Sequence, residues 1–248
     1  MQIDIASSPP FTDTRADILL LAGRGAFLPG SATLLVADVH LGKAATFRSA
    51  GIPVPEGSAQ ADLARLERLV HETAARRLIV LGDLFHARSG CTDTVFEEFA
   101  ATRARFSATE VILVPGNHDR AIGRLPSSLG IDSCLRTHDE PPFHFVHEPD
   151  TELPEPGRTC FTIAGHLHPT VSIRSPSGDR ITERCFVAED AALVLPAFGS
   201  FTGGHRVREI GGLRLWIARD DGVVDVTRLA GLSAKAGEPR HSSSRNAT

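Results

Sequence analysis

The sequence has no tyrosine, one tryptophan and one methionine among 248 residues, so it is poor in the large side chains that typically anchor protein partners. Its four cysteines, Cys91, Cys134, Cys160 and Cys185, are far apart and form no CxxC pair. Neither a disulfide framework nor a cysteine zinc site is suggested. No apolar run reaches the roughly 18 residues of a spanning helix. The start, MQIDIASSPPFTDTR, carries acidic residues and prolines where a secretory signal would have a basic start and an apolar stretch, and a cytoplasmic location is expected. A formal net charge of −4 and a pI near 6.3 argue against holding nucleic acid by bulk electrostatics, while leaving room for a local basic rim.

What is present is an average globular composition, 42% hydrophobic and 23% charged, in a chain long enough to bury one sizeable core. Apolar runs at 18–21 and 33–37 flank a Gly/Pro-bearing loop and predict an N-terminal hairpin. Residues 58–77 place Leu63, Leu66, Leu69 and Val70 at helical spacing behind Ser58 as a cap candidate, and 78–82 is a short buried strand. A second helix over 93–106, with Val95, Phe96, Phe99 and Phe106 on one face, precedes a strand over 111–114. These repeating β-α-β units predict a parallel sheet. After residue 140, short β-rich runs at 143–147, 160–164, 184–188, 192–195, 213–217 and 223–229 predict a second, mostly antiparallel sheet. The expected fold class is layered α/β, with one domain over 1–232 and a disordered tail over 233–248.

Eleven histidines are the unusual number, and most fall beside carboxylates just after predicted strands, where an open α/β sheet gathers its site loops. The segments are Asp38-Val-His40, Gly82-Asp83-Leu84-Phe85-His86, Gly116-Asn117-His118-Asp119, His147, and Gly165-His166-Leu167-His168. Mixed carboxylate, imidazole and amide donors suit Mn²⁺, Fe²⁺ or Zn²⁺, whereas Ca²⁺ and Mg²⁺ favour all-oxygen sites. Asp83 could bridge two ions, giving a pair about 3.5–4 Å apart that clamps a phosphate and makes hydroxide available near neutral pH. His147 is framed by little, and His144 or His138 could take its place.

In these segments, DxH, GDxxx, GNHD, a lone histidine and GHxH in order, the sequence resembles the calcineurin-like metallophosphoesterase superfamily over about residues 33–200. LLVADVHLGKAATFRSAGIPVPEG, GDLFHAR, VPGNHDR, AGHLHP and LPAFGSFTGG are similar to the ligase-associated DNA damage response endonucleases, a bacterial subgroup. The resemblance implies a two-sheet sandwich flanked by helices, in αββα layers. It implies that Asp38, His40, Asp83 and His168 hold one divalent ion and Asp83, Asn117, His147 and His166 a second, with Mn²⁺ the first expectation. It further implies a catalytic group of His118 at the phosphate and leaving oxygen, Asp119 orienting His118, and His86 as a phosphate contact or supporting group.

The expected activity is a metal-dependent phosphodiesterase, an endonuclease acting on single-stranded or damaged DNA in repair, with association to ligase or helicase repair proteins implied by the same resemblance. The alternatives are a phosphodiesterase or phosphatase for nucleotides or other small molecules and, since fold does not decide function, a scaffold for repair proteins that has lost catalysis. Lys43, Arg48, Arg88 and Arg120 are candidates for a basic rim. His205 and Arg206 follow a flexible glycine pair, and His71 and His241 receive no role.

Overall fold

The computed structural model describes residues 2–4, 17–54, 57–149, 160–174, 178–208, 211–219 and 222–230. The expected tail over 233–248 therefore lies outside the described residues. Two mixed sheets pack face to face. The first, of seven strands, runs in chain order through β1 (Gln2–Asp4), β2 (Asp17–Leu20), β3 (Ala26–Leu28), β4 (Thr33–Val36), β5 (Arg77–Leu81), β6 (Glu110–Val114) and β7 (Ser133–Cys134). Strands β1 to β4 are antiparallel, and β4 to β7 are parallel. The expected hairpin is thus a meander, because Ala26–Leu28 inside the loop forms a strand of its own.

Helices α1 (Lys43–Ser49) and α2 (Ser58–Thr73) connect β4 to β5, α3 (Asp93–Ala104) connects β5 to β6, and α4 (Asn117–Ile122) follows β6. Ser58 is the first helical residue rather than the cap; Gly57, at φ 89°, starts α2. Ala74 ends it in the left-handed conformation at φ 48°. Thr92 caps α3 by accepting the Val95 amide at 3.4 Å.

The second sheet has nine strands: β8 (His138–Glu140), β9 (Phe143–Phe145), β10 (Phe161–Ala164), β11 (Pro169–Arg174), β12 (Arg180–Glu189), β13 (Ala192–Val194), β14 (His205–Arg206), β15 (Arg214–Arg219) and β16 (Gly222–Asp225). It is mostly antiparallel, as expected, but β9, β10 and β13, whose ends lead to the site, lie parallel. Three- and four-residue strands covered on their core face read only as apolar runs, and pairing direction has no local signature in them. The β11–β12 hairpin, five residue pairs long, returns the chain so that β13 can lie beside β10.

Strand alternation divides the core into layers. Leu35, Ile79, Leu81, Ile112 and Val114 face the second sheet and meet Phe145, Ile163, Phe186, Leu195 and Trp216. Leu34, Val36, Leu78, Val80, Val111 and Leu113 face the other way, onto Leu63, Leu66, Leu69 and Val70 of α2 and Val95 and Phe99 of α3. Outside the second sheet, Val171, Cys185, Leu215 and Ile217 are covered by Val226 and Ala230. Among the described residues, no helix is long and apolar enough to cross a membrane. The loops that leave the C-terminal ends of β4, β5, β6, β9 and β10 carry the five segments singled out above.

Candidate metal centre

Beyond the ends of β4 and β5 the chain continues as paired loops. Asp38 N donates to Gly82 O at 3.0 Å, His40 N to Asp83 O at 2.8 Å and Leu41 N to Leu84 O at 2.9 Å. This pairing sets the DxH and GDxxx segments side by side. Five of the candidate ligands hold the left-handed backbone: Asp38 (φ 56°), His40 (53°), Asp83 (51°), His166 (70°) and His168 (43°). For residues with a Cβ each such turn costs on the order of 1–3 kcal/mol and persists only where the surroundings impose it. Here it re-aims consecutive side chains into one cleft.

The donor atoms converge as two sets that share Asp83. On one side His40 Nε2 lies 3.3 Å from His168 Nε2, His168 Nε2 3.2 Å from Asp38 Oδ1, and His40 Nε2 3.7 Å from Asp83 Oδ2. On the other, His147 Nε2 lies 3.6 Å from Asp83 Oδ2, 3.2 Å from Asn117 Oδ1 and 3.1 Å from His166 Nδ1. Asp83 Oδ2 faces both sets. Its Oδ1 instead accepts the His118 amide at 2.9 Å, so Oδ2 is the oxygen that would be shared between the two sets.

These residues fit divalent ions. Ligands at about 2.0–2.2 Å from an ion sit roughly 3.0–3.5 Å from each other, close to the spacings observed. Asp38 Oδ1 is buried without a hydrogen-bond partner despite His168 Nε2 at 3.2 Å, as expected of two lone pairs aimed at a shared point. Burial, and then the neighbouring Asp38 charge, push the Asp83 carboxyl up to about 8. Burial, and then His168, hold His40 down to about 2. The protein alone thus disfavours charge on both groups, and a cation would reverse the balance at Asp83.

His147 is fully buried at this junction, and its Nδ1–H donates to Leu81 O at 3.0 Å, which turns Nε2 toward the cleft. The alternatives sit elsewhere: His144 Nδ1 meets Asp139 Oδ1 and His138 Nε2 meets Glu140 Oε1. Gly82, at φ 78°, lets the His147 ring approach, for a Cβ there would lie 2.0 Å from its Nδ1. Gly82→Ala is therefore expected to displace His147 and lower bound metal by about one equivalent, as measured by elemental analysis after dialysis.

His118 Nδ1 is held by the His86 carbonyl oxygen. Its ring stacks on His86 with centroids 4.9 Å apart, and its Nε2 lies 3.9 Å from Asp83 Oδ2. The orienting role expected of Asp119 therefore falls to His86. The Asp119 carboxylate instead accepts the amides of Gly116 (3.1 Å), Leu84 (3.2 Å) and Phe85 (3.0 Å), tying the GNHD loop to the GDLFH loop. His86 Nδ1 also lies 3.3 Å from His40 Nδ1, and burial, then Lys43, lower its pKa to about 4.

Of the expected rim, Lys43 borders a recess with His40, Phe201 and Thr202, and burial lowers its pKa while the Asp83 charge opposes that. Arg48 is exposed and borders a separate groove with Ser58, Gln60 and Glu98. Arg88 donates to Ile122 O, and Arg120 to Pro115 O and to Glu148 Oε1. His205 is exposed, and its amide donates to His168 O at 2.9 Å. Glu148, beside His147 and His166 in a potential ligand group, carried no sequence signal beyond adjacency.

The calcineurin-like phosphoesterase profile matches residues 32–194, whereas a search of curated proteins returns no match. Among solved structures, the Pseudomonas putida nuclease MPE is 34% identical, with 90% of this chain and 98% of that chain covered and a TM-score of 0.71. A protein of unknown function from Aquifex aeolicus is 18% identical over 55% of this chain and 78% of its own, at a TM-score of 0.36. The E. coli phosphoesterase Yfce is 15% identical over 77% and 90%, at 0.38; at such scores neither constrains function. The profile spans more than half of the chain and takes in the strands whose ends carry the clustered donors, and on that ground the chain belongs to the calcineurin-like phosphoesterase family.

Proposed function

We propose that the protein is a metal-dependent phosphodiesterase that cuts DNA internally, on single-stranded or damaged substrate, in nucleic-acid repair in the cytoplasm. The observation that carries this reading is the shared Asp83 Oδ2, 3.7 Å from His40 Nε2 and 3.6 Å from His147 Nε2. Two ions clamping one phosphate need such a common ligand. The 34% identity to a nuclease over 90% of the chain supports the choice of a nucleic acid over a small molecule.

Asp38, His40, Asp83 and His168 would hold one ion, and Asp83, Asn117, His147 and His166 the other; the mixed donors suit Mn²⁺, then Fe²⁺ or Zn²⁺. When bound, the ions supply charge neutralisation at the phosphate and an activated water near neutral pH. As the imidazolium, His118 donates its Nε2 proton to the leaving oxygen, while the His86 carbonyl accepts Nδ1–H and keeps Nε2 facing the cleft. Lys43 offers a charged hydrogen bond to a phosphate oxygen. Asp119 keeps the two loops in register. Repair ligases or helicases are the proposed partners.

The test is hydrolysis of circular single-stranded DNA beside a panel of nucleotides, with and without Mn²⁺. Linearisation of the circle is expected with Mn²⁺, and its loss on chelation and return on Mn²⁺ addition. Activity that survives exhaustive chelation would refute the metal role, and turnover of nucleotides alone would refute the nuclease role.

A further inference from the structure

On the far side of the β13–β14 loop from Asp38 lies a polar cleft of about 570 Å³, lined among others by Arg24, Thr170, Thr182, Glu183, Arg184 and Thr202. The loop is pinned to the metal-binding strand end by Phe198 N to Ala37 O (2.8 Å) and Gly199 N to Asp38 O (3.0 Å). Its next residues carry the cleft wall. Arg184 Nη2 donates to Ser200 O at 2.9 Å and to Thr202 O at 2.6 Å, and Arg24 Nη2 reaches Ser200 Oγ at 3.4 Å.

The charges here do not cancel. Asp62, buried beneath the loop, accepts Ser200 N and Oγ and pairs with Arg65 at 2.7 Å. Among the described residues, no carboxylate forms an ion pair with Arg24 or Arg184. Glu183 also borders the cleft, but the register pairs it with Val171 while Arg184 pairs with Thr170, so its side chain leaves the opposite face of β12 from Arg184. Two polar atoms are buried with no partner, Arg24 Nη1 and Thr202 Oγ1, and Thr202 is only 9% exposed. Arg24 also holds φ 74° in the β2–β3 turn, where glycine would be cheaper. Burial lowers the Arg184 pKa without an opposing acid. Arginines with neutral acceptors but no carboxylate partner, beside an idle hydroxyl, are what a tetrahedral anion satisfies.

The cleft shares one wall residue with the recess beside the centre. Thr202 borders both this cleft and the recess of His40, Lys43 and Phe201. Phe201 in that recess meets Phe47 edge to face at 5.4 Å, both half-buried, and so presents ring surface on which an unpaired base can stack. We infer that Arg24, Arg184 and Thr202 form a second phosphate subsite, which holds the backbone of a single-stranded polynucleotide away from the bond being cut. The inference rests on the phosphodiesterase reading for the strand's position, and it deepens that reading by assigning where the uncleaved part of the substrate lies.

The test is fluorescence anisotropy of labelled (dT)16 with full-length protein in chelator, across a range of salt, for wild type, Arg24→Ala, Arg184→Ala and Arg184→Lys. Each alanine is expected to raise Kd on the order of 10-fold. Each should also reduce the slope of log Kd against log salt by about 0.7, one single-strand phosphate, while Arg184→Lys retains most of the slope. Arg24→Ala breaks only the Ser200 contact, so it tests the subsite even if Arg184→Ala unfolds. Unchanged affinity and slope in Arg24→Ala would overturn the subsite, whether or not the wild type cuts DNA. Arginine-dependent binding by a wild type that cuts no DNA would support the subsite and refute the nuclease reading instead.

Discussion

Asp83→Asn is expected to abolish metal-dependent hydrolysis while raising the melting temperature of the metal-free protein. The asparagine keeps an Oδ1 acceptor for the His118 amide but puts an NH₂ where Oδ2 faces both donor sets. The loss in rate should far exceed the roughly 10–100-fold that follows removal of a group behind the ligands. Stability moves the other way. With its carboxyl pushed up to about 8 by burial and Asp38, folded Asp83 keeps its proton where the unfolded chain has lost it. The metal-free wild type therefore loses stability as pH rises from about 4 to about 8, and the variant escapes that loss. Its advantage should grow across this window to a few kcal/mol, at about 2–4 °C per kcal/mol for a chain of this size. Melting curves in chelator at pH 5 and pH 8, with metal content and hydrolysis measured on the same preparations, check both halves. A variant no more stable than wild type at pH 8 would show that burial and Asp38 do not disfavour the Asp83 charge.

His118→Ala should separate substrates rather than abolish activity uniformly. The His118 backbone amide, which fixes Asp83 Oδ1 at 2.9 Å, survives the substitution, so metal should remain bound. What is lost is the ring, whose Nε2 faces the cleft because Nδ1 is held by the His86 carbonyl. An aryl phosphodiester releases an oxygen that needs little protonation, whereas a DNA strand releases a basic alkoxide. General-acid catalysis typically contributes on the order of 10²–10⁴-fold, and the DNA reaction should fall by about that much more than the aryl reaction. Equal losses with metal intact would leave His118 with phosphate binding alone. Loss of metal would place it among the ligands.

The sequence by itself determined the donor residues and their order. Asp38, His40, Asp83, Asn117, His166 and His168 stand in short motifs after apolar runs, and burial of those runs as strands forces each motif onto a strand end. The first sheet's helices were legible for the same reason, since Leu63, Leu66, Leu69 and Val70 repeat at helical spacing. His147 was legible only in outline, because a lone histidine after a three-residue strand has no period, and its buried position between Asp38 and Asp83 depends on strands β9 and β10 lying parallel.

Tertiary structure alone decided the rest. Asp119 serves three amides on two loops rather than His118, a choice made by the distance between β5 and β6 and not by chain neighbours. Lys43 came to the cleft and Arg48 left it, although only four residues of one helix separate them. Arg24 and Arg184, from different sheets and 160 positions apart, share a cleft that no local pattern could announce. Periodicity reports which face of an element is buried, and motif spacing reports which atoms a strand end offers. Only the packing of the two sheets fixes which of those atoms meet across it.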